Sequence, residues 1–391
     1  MNKKIKVLAV TGIRSEYDIL YPVIKKIQED PQIELTLAVS SAHLSEWHNF
    51  TLKKIEDDGF TISDKIDCLL STDRVTQRSK GVGILTYALS QTVEREKPDF
   101  LLVIGDREES IATAIIGNYM NIITLHLGGG DPVFGNADDP IRMAVSKLAH
   151  VHFTTAKVYA DNLRKMKEDN FRIFFTGNPA LANIKNTPQK SLKEVSEYLS
   201  FDLTDGKYIV LVKHPLSSEE SDSYNQMKVV LSALEEFCSI NNYKVVASYP
   251  NTDPGSYDIL RAINEFEHKP FIKFNKSLPR EYFVNLMRNA KALIGNSSMG
   301  ILEAPFYKLP VVNVGNRQQG RLNAGNAKFV THKKEEIINA LVEACLDNNY
   351  RQMVNKLKCP YGDGEAPEII CEVIRSINSK DKKWLVKENL C

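Results

Sequence analysis

Residues 121–152 read NIITLHLGGGDPVFGNADDPIRMAVSKLAHVH, and the change of character along them indicates the fold. Ile122–Leu127 is β-branched and apolar, as expected of a strand buried on both faces, and it runs directly into Gly128, Gly129 and Gly130. Consecutive glycines permit positive φ angles and let a ligand approach the backbone. Asp131 follows, then a Pro/Gly/Asn loop, then Asp138 and Asp139 ahead of a helical pattern striped by Ile141, Val145 and Leu148. His126 stands at the strand end, and Arg142 lies one helical turn beyond Asp138. A unit of this kind belongs to a parallel α/β sheet, where ligands bind outside the carboxyl ends of the strands. A plainer reading makes Asp138 or Asp139 a helix cap paired with Arg142. That reading leaves Asp131 without a task, and a second acidic site, Gly105-Asp106, ends the preceding strand.

The alternation extends in both directions. Upstream, strands are expected at Ile5–Val10, Glu34–Val39 and Phe100–Ile104, with helices striped by Ile19, Val23, Ile24 and Ile27, near 50–57, over 74–97 and over 110–119. Val151–Thr155 and Arg172–Phe175 read as strands around a helix at 157–168. Polar punctuation around 179–206 marks a boundary, and a second series follows. Its expected strands are Tyr208–Val212, Tyr243–Ala247, Phe271–Phe274, Ala292–Ile294 and Val311–Val314. Helices are expected near 219–240, 255–265, 280–289, 299–307, 334–347 and 366–378. Two such series predict an α/β fold of two doubly wound parallel-sheet domains facing across a cleft. The first is expected over 1–182 and the second over 183–391, with the closing helix packing back on the first.

Bulk properties exclude several classes. A chain of 391 residues, 25% charged and 43% hydrophobic with net charge +1, has no general pull toward nucleic acid or membrane. The apolar run at Ile5–Val10 contains Lys6 and is a first strand rather than a leader, and no run is long enough to span a bilayer. Six scattered cysteines without a C-x-x-C pair suggest reduced thiols in the cytoplasm and no structural zinc. Gly81-Val82-Gly83 lacks a third glycine and lies in a helical pattern, so no nicotinamide fingerprint is present.

Further strand ends carry chemistry. In V-T-G-I-R-S-E-Y-D at 10–18, Gly12 allows a tight turn, the following amides suit an anion and Arg14 can reach a phosphate oxygen. G-D-R-E-E at 105–109 places Asp106 at a strand end, either as a site residue or as a helix cap. His214 ends the first strand of the second series. In I-G-N-S-S-M-G-I-L-E at 294–303, Ser297, Ser298 and the amides after them suit a diphosphate, and Glu303 suits ribose hydroxyls. Asn251 and Asp253 sit at another strand end.

The pattern His126, Gly129, Gly130, Asp131, Asp138, Asp139, Ile141 and Arg142 resembles the hydrolysing UDP-N-acetylglucosamine 2-epimerases of sialic acid biosynthesis, the NeuC type, with their relatives of legionaminic acid pathways. G-x-R-x-E-Y at 12–17, G-D-R-x-E at 105–109, His214-Pro215, G-N-S-S-x-G-x-x-E at 295–303 and the arginines of 314–321 extend the resemblance over most of the chain. Ile19 stands where the non-hydrolysing relatives carry lysine. The resemblance implies a GT-B-like fold, a nucleotide-sugar substrate, no cofactor, no metal, and a homodimer or homotetramer. It implies catalytic roles for Asp106, Asp131, Asp138, Arg142 and His214. Substrate contacts are implied for Arg14, Arg107, His126, Asn251, Ser297, Ser298, Glu303, Arg317 and Arg321. The expected reaction removes the C2 proton, expels the nucleotide by anti elimination and hydrates the resulting glycal to the manno sugar. A GT-B glycosyltransferase is the alternative, and a catalytically silent nucleotide-sugar sensor a third reading.

Overall fold

The structure is a computed structural model that describes residues 3–46, 50–70, 76–132, 138–216, 222–250, 255–276 and 278–388, with the side chains of Asp138 and Asp139 outside the description. The chain divides into one unit of Met1–Lys185 with Tyr361–Cys391 and another of Asn186–Pro360. Residues from Tyr361 onward thus cluster with the first unit, where sequence placed the interval 183–391 in the second domain with only its closing helix returning. The helix Ala366–Ser376 packs on the helix Arg14–Glu29.

The first unit is a seven-stranded parallel sheet of β1 (Ile5–Thr11), β2 (Ile33–Ser40), β3 (Ile62–Ile66), β4 (Phe100–Ile104), β5 (Ile123–Leu127), β6 (Val151–Thr154) and β7 (Ile173–Phe175). The spatial order is β3-β2-β1-β4-β5-β6-β7. Period-two alternation sends Val7, Ala9, Phe100, Leu102 and Ile104 to one face and Leu8, Val10, Leu101 and Val103 to the other, each into its own apolar layer. Both faces are covered by helices, which is why these strands read as continuous apolar runs.

The second unit is a six-stranded parallel sheet of β8 (Tyr208–Val212), β9 (Lys244–Ser248), β10 (Ile272–Asn275), β11 (Ala292–Gly295), β12 (Val311–Val314) and β13 (Ala327–Val330). Its order is β10-β9-β8-β11-β12-β13. The sequence reading missed β3 (ISDKI) and β13 (AKFV), edge strands whose exposed side chains interrupt the apolar pattern. The helix expected over 299–307 is a single turn, Met299–Leu302. Among the described residues no helix is long and apolar enough to cross a membrane.

Candidate functional site

In a doubly wound sheet the strand order reverses at one place, where two neighbouring loops diverge and leave room for a ligand. The first unit reverses between β1 and β4, and the second between β8 and β11. Most of the sequence-selected residues stand at or beside these two places.

At the first, β1 ends at Thr11, just before Gly12, and β4 at Ile104, just before Gly105-Asp106. The helix Arg14–Glu29 starts after Ile13 with no side-chain cap, so its first amides keep no side-chain partner. The helices leaving the two strands exchange carboxylates. Glu109 Oε1 occupies the place where a Cβ on Gly12 would stand, and Glu16 Oε1 lies 2.6 Å from the corresponding point on Gly105. Only glycine leaves space for this crossing, and Gly105 is also held at φ +79°. Buried Glu109 accepts hydrogen bonds from Ser40 Oγ at 3.3 Å and from Ser41 Oγ through Oε1, while its Oε2 is enclosed without a partner. Burial and the neighbouring Glu109 hold the Glu16 carboxyl well above the usual carboxylate range, against the pull of Arg107 and Arg142. Arg14 is exposed and 3.6 Å from Asp18. Arg107 begins the helix Glu108–Met120, with Nη2 3.5 Å from Glu108 and its Nε buried without a partner.

The neighbouring strand end brings Asp131 to the same group. Arg142 donates from Nε to Asp106 Oδ2 at 2.9 Å and from Nη2 to the same oxygen. Its Nη1 lies 3.4 Å from Asp131 Oδ2 and 3.4 Å from the Gly128 carbonyl. All three side chains are mostly enclosed, at 13% exposure for Arg142 and Asp106 and 16% for Asp131. Burial works against the Arg142 charge, but Asp106 and Asp131 more than offset it and raise its pKa. Arg142 therefore bridges two strand ends, a partnership that local helix spacing to Asp138 did not indicate.

His126 is completely enclosed, with Nε2 2.8 Å from the Gly105 carbonyl and Nδ1 without a partner. Burial lowers its pKa to about 3, so the imidazole is neutral. Its side chain has no exposed surface and lies beneath the glycine turn.

At the second reversal, Gly295 (φ +135°) passes so close to β8 that a Cβ there would overlap the Val212 carbonyl. Asn296 locks the two strand ends together: its Oδ1 accepts from the His214 amide at 2.7 Å and its Nδ2 donates to the His214 carbonyl at 2.8 Å. The Asn296 carbonyl in turn accepts from Arg317 Nη1 at 3.2 Å and Gln318 Nε2 at 3.0 Å, which fixes the loop after β12. His214, Ser297, Ser298, Arg317 and Arg321 are half-buried around this knot. With only one turn after Ser298, a helix macrodipole contributes little, and the local amides and hydroxyls carry any anion affinity. Burial pushes the half-buried Glu303 carboxyl up to about 7, opposed by Arg280. Buried Lys213 places Nζ 3.3 Å from His332 Nε2.

The family model described as UDP-N-acetylglucosamine 2-epimerase matches residues 25–375. The chain belongs to that family. Among similar proteins, the UDP-N,N'-diacetylbacillosamine 2-epimerase (hydrolyzing) of Legionella pneumophila is 30% identical over 95% of this chain and 96% of its own. The GDP/UDP-N,N'-diacetylbacillosamine 2-epimerase (hydrolyzing) of Campylobacter jejuni is 32% identical over 83% of this chain and 84% of its own. A solved UDP-GlcNAc 2-epimerase from Neisseria meningitidis, bound to UDP-GlcNAc, superposes with TM-score 0.79 at 19% identity, covering 95% of this chain and 100% of that one. The two parallel-sheet units are accordingly GT-B-like.

For this member of the epimerase family, the structure brings together Asp106, Asp131 and Arg142 in one unit, and His214, Ser297, Ser298 and Arg317 in the other. The side chain of Asp138, and Asn251 with Asp253, lie outside the described residues. Glu16, Glu109, Asn296 and Lys213 were not selected from sequence. For Glu16 and Glu109 the available signal was steric, since they approach the missing Cβ positions of Gly105 and Gly12. Among the described residues, no cluster of three His, Cys, Asp or Glu side chains could hold a metal ion.

Proposed function

We propose that this chain is a hydrolysing 2-epimerase of a UDP-linked 2-acetamido sugar, either UDP-N-acetylglucosamine or a UDP-2,4-diacetamido-6-deoxy sugar. The products are the free manno-configured sugar and UDP, which would serve sialic or legionaminic acid biosynthesis. The observation that carries this reading is the Asp106–Arg142–Asp131 cluster at the first reversal, in a chain whose similar relatives bear hydrolysing names. Arg142 is the shared countercharge of both aspartates, and one of them takes the C2 proton. Glu16, whose carboxyl is held well above the usual carboxylate range by burial and the neighbouring Glu109, is suited to return a proton to C2 when water adds at C1. His214, Ser297, Ser298, Arg14, Arg317 and Arg321 stabilise the departing diphosphate, and Glu303 accepts from ribose hydroxyls.

Turnover in D2O tests the reaction. The released amino sugar is expected to carry deuterium at C2, and substrate deuterated at C2 should lose its label in water. Label retained at C2 of a manno product would indicate hydride transfer, and an unlabelled gluco product would remove the epimerase reading. Absence of turnover unless a sugar acceptor is added would favour the glycosyltransferase.

The nucleotide side has its own test. Ser298→Ala and Glu303→Gln should each weaken UDP binding by about 1–3 kcal/mol, the value of a hydrogen bond involving a charged or buried group. Glu303 accepts through both oxygens only when ionised, and its carboxyl titrates near 7. Its contribution is therefore present above that pH and is lost as pH falls through it, so UDP affinity in the parent protein should drop below about pH 7. Calorimetric titration at two pH values checks this, and Glu303→Gln should show a smaller drop, the remainder being that of the terminal phosphate of UDP. Unchanged affinity in both variants would remove the second unit from nucleotide binding.

A further inference from the structure

The family match ends at Arg375, and the chain beyond it continues as a tail that carries polar groups into the interior of the first unit. In this tail, Lys382–Trp384 make one 3-10 turn, with buried Trp384 edge-on to Phe171 at a centroid distance of 5.2 Å. The fully buried Arg172 guanidinium donates to the carbonyls of Trp384 at 2.6 Å, Lys383 at 2.7 Å and Val386, which holds the turn in place. Lys387 then reaches inward. Its Nζ donates to Glu168 Oε2 at 2.7 Å and to the Lys147 carbonyl at 2.7 Å, at the end of the helix that carries Arg142.

Glu168 is the hub of this network. Its side chain is 1% exposed, and it also meets Lys147 Nζ at 3.1 Å and His152 Nε2 at 3.1 Å. Burial alone would raise its pKa, but the bonds from His152 and Lys387 bring it down to about 2. The carboxylate therefore accepts a hydrogen bond from His152 Nε2, which fixes that ring. His152 in turn lies under the glycine turn. A Cβ on Gly129 would stand 3.2 Å from His126 Nδ1, 3.3 Å from Ser146 Oγ and 3.4 Å from His152 Nδ1. Gly130 donates its amide to Ser146 Oγ at 3.3 Å, and Asp131 follows immediately.

We propose that Lys387 is a positioning residue for the turn at 128–131, acting through Glu168 and His152 and through the helix end at Lys147. Removing its ammonium group leaves Glu168 short of one buried cation, frees the His152 ring and loosens the floor on which Gly129 rests. The proposal rests on the epimerase reading only for its activity readout.

Full-length Lys387→Met and Lys387→Arg variants test it. In Lys387→Met, amide hydrogen exchange over residues 128–130 should accelerate while β11 of the second unit is unchanged. Turnover should fall by about ten-fold, the size of effect that a small displacement of a reacting group produces, with UDP affinity unchanged. Lys387→Arg should recover much of both. The acid limb of the pH profile should also move. His152 is faced by Glu168, Lys387, Arg172, Lys147, His126 and His150; burial and the Lys387 charge lower its pKa, against Glu168. Without that charge His152 takes up a proton at higher pH, so acid loss of turnover should begin at higher pH. Unchanged exchange over 128–130 in folded Lys387→Met protein overturns the proposal, as does an equal acceleration throughout the first unit. If the parent protein turns over no nucleotide sugar, the functional reading fails and the exchange comparison still decides this one.

Discussion

Asp131→Asn is expected to lower turnover by about 10²–10⁴-fold, the range for loss of a general acid or base, with UDP affinity within a few fold of the parent. Asparagine has nearly the same shape and still accepts a hydrogen bond from Arg142 Nη1, which lies 3.4 Å from Asp131 Oδ2. What it cannot do is take a proton. The Arg142–Asp106 contacts do not depend on Asp131, so the local fold should persist. Affinity for UDP is expected to hold because its proposed contacts come mainly from the second unit. Steady-state rates with calorimetric UDP titration check the split. Equal loss of binding and turnover would mean that Asp131 holds the nucleotide or the fold instead, and parent-like turnover would remove it from the chemistry.

Arg172→Met should destabilise the protein by about 3–5 kcal/mol, as when one partner of a buried charged network is removed. Methionine fills much of the volume but makes no hydrogen bond. Nη1 now donates to the His150 carbonyl at 3.2 Å and the Trp384 carbonyl at 2.6 Å, Nη2 to Lys383 and Val386, and Nε to Asp169 at 3.1 Å. These acceptors would be left without that donor, each at a cost comparable to a lost hydrogen bond. Urea unfolding followed by circular dichroism measures the effect, and limited proteolysis should show earlier cleavage near 380–388. An unfolding midpoint equal to that of the parent protein would show that the tail contributes nothing to the stability of the first unit. By contrast, Arg14 and Asp18 form an exposed pair at 3.6 Å, and breaking it should change stability little.

Much of the fold was legible because its signals are local. Parallel strands buried on both faces must be apolar throughout, so β1, β4, β5, β8 and β11 stood out as short continuous runs. The strand-end motifs at Gly12, at Gly105, over 128–131 and over 295–298 were visible because a tight turn at a strand end draws on glycine and short polar residues. The edge strands β3 and β13 were not, since a half-exposed strand of four or five residues carries too little pattern.

The partners of these residues were decided only by tertiary structure. For Arg142, helix spacing suggested Asp138 or Asp139, whose side chains lie outside the described residues, but gave no sign that the guanidinium reaches Asp106 on the neighbouring strand end. Glu16 and Glu109 look like ordinary acidic residues in first helical turns, and their crossing follows from β1 lying beside β4, strands far apart in the chain. The role of Lys387 depends on the tail returning to Glu168. Sequence specifies which segments become strands and helices because hydrophobic periodicity acts over a few residues. Which charges meet depends on strand order and burial, which bring distant residues into one low-dielectric place where a charge must find a partner.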